Sequence, residues 1–191
     1  MISYKYDILE QAKTIPTAVV QEAVHGDEES RAWLYRHYSK AMFNICIRMT
    51  GSQRYAEDVL QDSFIIAFRQ LGQLKEPAGF GGWLRRIVIN ECIRYSKGSF
   101  YWNEWDADQW EHIPEEPGEW WTTVSMEMLQ QEIRKLPEGC RQVFVLYVLE
   151  DFTHKDIAAN LGISESTSKS QYQRARQLLK ERITKQMAAH G

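Results

Sequence analysis

Residues 152–176, FTHKDIAANLGISESTSKSQYQRAR, decide how this chain is to be read. Thr153 and Asp156 stand at capping-box spacing, so a short helix opens there and runs to Leu161. Gly162 supplies a turn, and Ser164 caps a following helix that extends to about Lys185. A short helix, a glycine turn and a longer polar helix outline a helix-turn-helix. On a helical wheel Ser168, Tyr172, Ala175 and Leu179 share one inward stripe. Opposite lie Ser166, Ser170, Gln173 and Gln177, flanked by Thr167, Lys169, Arg174 and Arg176. Glutamine and arginine can each form two hydrogen bonds to one base edge, while lysine, serine and threonine suit phosphates. Duplex DNA fits such a face, although a solvated amphipathic face shows the same pattern.

The charge balance shows where a polyanion could lie. The chain of 191 residues has a net charge of −3, but the charges are segregated. Residues 31–97 carry 11 basic and 5 acidic groups, and residues 134–191 carry 10 and 6. Between Gly98 and Ile133 there is no lysine or arginine, against 9 acids. Two basic blocks joined by an anionic segment can each meet a polyanion despite the negative sum. The longest apolar run, Val143–Leu149, is far too short to span a bilayer, so no stable membrane insertion is expected. The N-terminus shows no basic flank ahead of an apolar stretch. Cys46, Cys92 and Cys140 are far apart, sit among apolar residues and read as buried free thiols. The chain therefore reads as intracellular and reduced.

Outside its middle the chain is patterned for helix. Trp33, Leu34, Ala41, Ile45 and Met49 recur at helical spacing over Arg31–Thr50, with Gly51 as a stop. A second helix is expected from about Arg54 to Leu71, with Val59, Phe64, Ala67, Phe68 and Leu71 inward. The glycine-rich loop GQLKEPAGFGG follows, and then a helix from about Phe80 to Lys97 that buries Trp83, Leu84, Ile87, Val88 and Ile93. Residues 98–122 hold five of the seven tryptophans among acids and two prolines, a composition that suits a linker with a docking site. The second block opens with a helix over about Thr123–Leu136. Pro137 suits a first helical position, and Val143, Phe144, Tyr147 and Val148 form one face. The β-branched run VFVLYV has no partner strand nearby and reads as helix. The expectation is an all-α chain of two small domains, residues 1–97 and 123–191, joined by the acidic linker 98–122.

Two further patterns carry chemistry. In WLRRIVINECIRYSK, Arg86, Asn90, Arg94 and Lys97 form a basic and polar stripe, and the loop before it holds Leu74, Lys75 and Phe80. Positive charge beside exposed apolar side chains suits single-stranded nucleic acid, whose unstacked bases need stacking surface and phosphate neutralisation. Leu74 and Phe80 could equally be core plugs. In AEDVLQDSFIIAF, residues 56–68, the side chains of Glu57, Asp58, Gln61 and Asp62 cluster on one side of a helix. Acids would weaken DNA binding there, so this face fits a basic protein surface, or serves solubility alone.

Taken in chain order and at their spacing, AEDVLQDSFIIAF, then FGGWLRRIVIN, then LPEGCRQVFVLYVLEDFTHKDIAANLGISESTSKSQYQRAR resemble the extracytoplasmic-function sigma factors of bacterial RNA polymerase. The likeness covers about residues 20–97 and 123–183. It implies a three- to four-helix bundle (sigma region 2) that grips the polymerase and melts the −10 promoter element. A helix-turn-helix (sigma region 4) would read the −35 duplex. By position Asp58, Gln61 and Asp62 would meet the clamp helices of the beta-prime subunit. Leu74 and Lys75 would lie in the loop capturing a flipped −10 base, Asn90 would read it, and Arg85, Arg86 and Arg94 would hold the backbone nearby. Thr167, Lys169, Ser170, Gln171, Gln173, Arg174 and Arg176 would serve the −35 element. The partners implied are polymerase core, promoter DNA and an anti-sigma factor, acting in the cytoplasm. Many members carry valine in place of Ser168 and arginine in place of Gln171; the serine should weaken packing of the recognition helix. No nucleophile–base pair, metal cluster or cofactor motif is present, so no enzyme and no cofactor is expected. A response-regulator-type activator with the same helix-turn-helix is the alternative, and it would leave the first block unexplained.

Overall fold

The computed structural model describes residues 16–97 and 124–189. The linker at 98–122, with its expected docking, lies outside the described residues. Among them there are eight α-helices and no strand. Two compact units result, Met1–Ile47 with Gln53–Tyr95, and Arg48–Ser52 with Ser96–Gly191.

The first unit is built on α1 (Thr17–Val24), α2 (Glu28–Thr50), α3 (Gln53–Gln70) and α4 (Phe80–Lys97). Helix α1 was not expected from the sequence. Gly26, at φ 96°, turns the chain out of it. The Asp27 carboxylate then accepts the Ser30 N–H at 2.7 Å and starts α2 a turn earlier than Arg31. Hydrogen bonding from Ser30, its backbone N–H foremost, holds the Asp27 carboxyl below its usual range. Arg31 Nε donates to the Ala23 carbonyl at 3.1 Å and Ser30 Oγ to Glu22 at 2.9 Å, which fastens α1 to α2. The core is formed by Leu34, Met42, Ile45, Phe64, Ala67, Leu71, Leu84, Val88 and Phe80. Gly81 has a spatial reason: a Cβ there would lie 3.0 Å from the Tyr38 ring, so helix α4 packs against that ring without a side chain between them.

In the second unit the elements are α5 (Met126–Arg134), α6 (Glu138–Phe144), α7 (His154–Leu161) and α8 (Glu165–Ala189). Ser125 Oγ accepts the Met128 N–H, so α5 begins beyond Thr123. Pro137 is the residue before the first helical position of α6, one earlier than expected. The VFVLYV run is helical, with Val145–Leu149 widened into a π turn. Thr153 and Asp156 form the expected capping box, with the Thr153 N–H on the Asp156 carboxylate at 3.2 Å and the Asp156 N–H on Thr153 Oγ at 3.1 Å. Thr153's hydrogen bonds hold the Asp156 carboxyl below its usual range. Gly162 takes the left-handed conformation, φ 71°. Ser164 Oγ accepts the Thr167 N–H at 3.0 Å and opens α8. That helix runs past Lys185. Its far end is held by Ile183 in the core and by Gln186 Nε2 donating at 2.8 Å to the buried Glu132 carboxylate.

Candidate nucleic-acid interface

Helix α8 is seated by a polar bolt. Ser168 is fully buried, with its Oγ 2.9 Å from His154 Nδ1 on the first residue of α7. The His154 ring stacks on Tyr147 at 4.3 Å and meets Tyr172 edge-on at 5.6 Å. Burial lowers the His154 pKa, the charge of Lys169 adds to that, and Glu165 opposes it. A neutral imidazole therefore faces the hydroxyl. The sequence led us to expect that Ser168 weakens the packing, but the hydroxyl is satisfied and joins the two helices of the motif. Ala175 and Leu179 complete the buried stripe.

The outward side of α8 is less uniform than the wheel. Ser166 and Lys169 are exposed, and Thr167, Gln173, Arg174, Arg176 and Gln177 are part-exposed. Lys169 pairs with Glu165 at 2.8 Å, and Arg176 lies over the Tyr172 ring at 5.7 Å. Ser170, expected outward, is buried and donates to the Thr167 carbonyl at 3.0 Å. Gln171 is half-buried and its Oε1 accepts the Cys140 thiol at 3.0 Å. Burial pushes that thiol up to about 11, which keeps it protonated as a donor. The Ser170 difference arises because a wheel fixes the angle of a side chain but not what packs beside it; Gln171 takes its expected role from family position, not from the wheel.

On the first unit, Leu74 is half-buried and Lys75 exposed, following the 3₁₀ turn Leu71–Gln73. Phe80 is fully buried between Tyr38 and Trp83, so of its two sequence readings the core one holds. Along α4, Arg86, Asn90 and Arg94 are exposed and Arg85 is half-buried. Arg94 is held by Glu91, its Nε at 2.8 Å, with Asp62 of α3 at 3.8 Å. The Glu91 hydrogen bond and charge raise the Arg94 pKa, and Asp62 adds to this. Asp58, Gln61 and Asp62 are all exposed on α3. Sequence reasoning missed that Tyr55 and Ile65, 43% and 41% exposed, share their stripe. Positions 55, 58, 62 and 65 repeat at helical intervals, a signal that was available. Tyr55 also meets the Tyr95 ring of α4 at 4.9 Å.

Residues 34–99 match the family model for sigma-70 region 2, and residues 126–179 match that for sigma-70, region 4; together these span well over half of the chain. The ECF RNA polymerase sigma factor SigW of Bacillus subtilis is 27% identical over 86% of this chain and 94% of its own. SigE of Mycolicibacterium smegmatis, also an ECF sigma factor, is 29% identical over 89% of this chain and 69% of its own. The chain belongs to the extracytoplasmic-function sigma factors.

As a sigma factor it confers promoter recognition and DNA melting on bacterial RNA polymerase, and it is not itself an enzyme. The activator alternative accounts for the helix-turn-helix alone and leaves the region 2 match without a purpose. In this sigma factor α8 continues past residue 179, where the region 4 match ends, so Gln186 reaches back from beyond the matched span to Glu132 within it. Among the described residues no helix is long and apolar enough to cross a membrane. No three histidine, cysteine, aspartate or glutamate side chains among them group to hold a metal.

Proposed function

We propose a division of labour in which α3 seats on the beta-prime clamp helices, α4 with its preceding loop melts the −10 element, and α8 reads the −35 duplex. The observation that carries it is the segregation of side chains on α4. Leu84, Val88 and Ile89 are buried there, whereas Arg86, Asn90 and Arg94 stay exposed along the helix. Leu74 and Lys75 supply the loop, Asn90 contacts an extracted base, and Arg85, Arg86 and Arg94 neutralise phosphates. On α8, Thr167, Lys169, Gln173, Arg174 and Arg176 contact DNA. Ser170 and Gln171 act one step back, by fixing the helix on its unit.

The α3 face gains support from Tyr55 and Ile65, which flank Asp58 and Asp62 with apolar surface at the two ends of the stripe. Acids flanked by exposed apolar groups suit a basic protein partner better than water alone. The anionic linker cannot lie on DNA and fits a basic channel of the polymerase. Control by an anti-sigma factor and a cytoplasmic site of action follow from the family. An anti-sigma factor should compete with polymerase core for this chain; simultaneous binding of both would sink that part.

Asn90→Ala tests the melting role. Extracting a base costs a few kcal/mol, which a pocket must offset. Permanganate footprinting of the holoenzyme on a promoter should show several-fold fewer reactive thymines, with initial duplex binding near wild type. Unchanged reactivity would remove Asn90 from the site.

A further inference from the structure

Arg94 stands where two surfaces with different tasks meet. Its guanidinium is gripped by Glu91, one turn back on α4, through Nε at 2.8 Å and through Nη2. Its other acidic neighbour, Asp62 at 3.8 Å, belongs to the exposed stripe of α3. The side chain of Glu91 is only 13% exposed, so its position is fixed by packing, whereas that of Asp62 is 60% exposed and open to a partner. A second contact ties the same two helices together, because Tyr55 on the α3 stripe packs on Tyr95, the residue after Arg94. An arginine paired with two carboxylates is a weaker phosphate ligand, since Glu91 takes its two-pronged Nε/Nη2 edge and both acids repel a phosphate.

We propose that Glu91 and Asp62 form a charge latch that keeps Arg94 off DNA until a protein partner occupies the α3 stripe. A basic surface that takes Asp62 removes one of the two carboxylates, and Arg94 then exchanges Glu91 for phosphate. Glu91 is thus a positioning residue: it touches neither DNA nor polymerase, yet it sets when Arg94 becomes available. This rests on the roles proposed above for α3 and α4, and it makes core binding and −10 binding cooperative within one unit.

The test uses the full free chain and a fluorescent mixed-sequence single-stranded oligonucleotide, followed by anisotropy. Exposed ion pairs are weak, so Glu91→Gln should tighten binding by only about threefold. Glu57→Gln removes the same charge from α3 without touching Arg94 and should give a smaller gain. In an Arg94→Ala background the Glu91→Gln gain should vanish. An equal gain with Glu57→Gln, or one that persists without Arg94, would show general electrostatics and overturn the latch. Arg94→Ala in the holoenzyme separates the two levels. If −10 melting is unimpaired by it, the reading of α4 fails; if melting falls but Glu91→Gln is silent in the free chain, the latch alone fails.

Discussion

Phe80→Ala should destabilise the first unit by ~3–5 kcal/mol, the cost of emptying a buried aromatic site. The side chain is fully buried, its ring centroid 5.2 Å from that of Tyr38 and 6.0 Å from that of Trp83. A domain of this size holds about 5–15 kcal/mol in all, so much of that reserve would go. Thermal denaturation of the full chain followed by circular dichroism should then show an early transition absent from wild type. The sequence allowed a different outcome, in which Phe80 offers its ring to an unpaired base. Under that reading the melt would be unchanged and only single-stranded DNA binding would fall. The same substitution therefore decides between a core role and a reading role.

Arg174→Ala should lower holoenzyme affinity for its promoter by ~1–3 kcal/mol if the guanidinium reads a base edge. The side chain is part-exposed on α8, and its charge is felt at the buried Cys140 thiol on α6. Its loss should leave the melt of the second unit near wild type, because Ala175, Leu179 and Ile183 carry the packing. Binding is to be measured on the promoter and on copies with single −35 substitutions. A base contact predicts a loss concentrated at one position, whereas an equal loss on all sequences marks a phosphate contact.

How much was legible depended on whether a feature is local. Caps and stops are local, so Thr153, Asp156, Gly162 and Ser164 placed the helix-turn-helix from sequence alone. The run VFVLYV reads as helix for lack of a strand partner, but no local pattern in it marks the π turn at Val145–Leu149. Helix α1 was missed because it has eight residues and buries only Val20 and Ala23, which gives periodicity little to act on. The starts of α5 and α2 moved because capping side chains set them: Ser125, two residues inside the expected span, and Asp27, four residues ahead of it. For the site, residue types on α4 and α8 were legible and their surroundings were not. Nothing in the sequence pairs Ser168 with His154, Gln171 with Cys140 or Arg94 with Asp62, since each pair joins separate helices.

The burial of the cysteines gives each unit its own clock. Cys46 and Cys92 lie inside the first unit and Cys140 inside the second, all of them buried and outside any disulfide. A thiol reagent can attack only when the surrounding helices open, so the labelling rate of each cysteine counts the openings of its own unit. Separate labelling curves, resolved by mass, turn one unmodified chain into two independent stability gauges. They would show whether polymerase or promoter quiets one half of the molecule, or both.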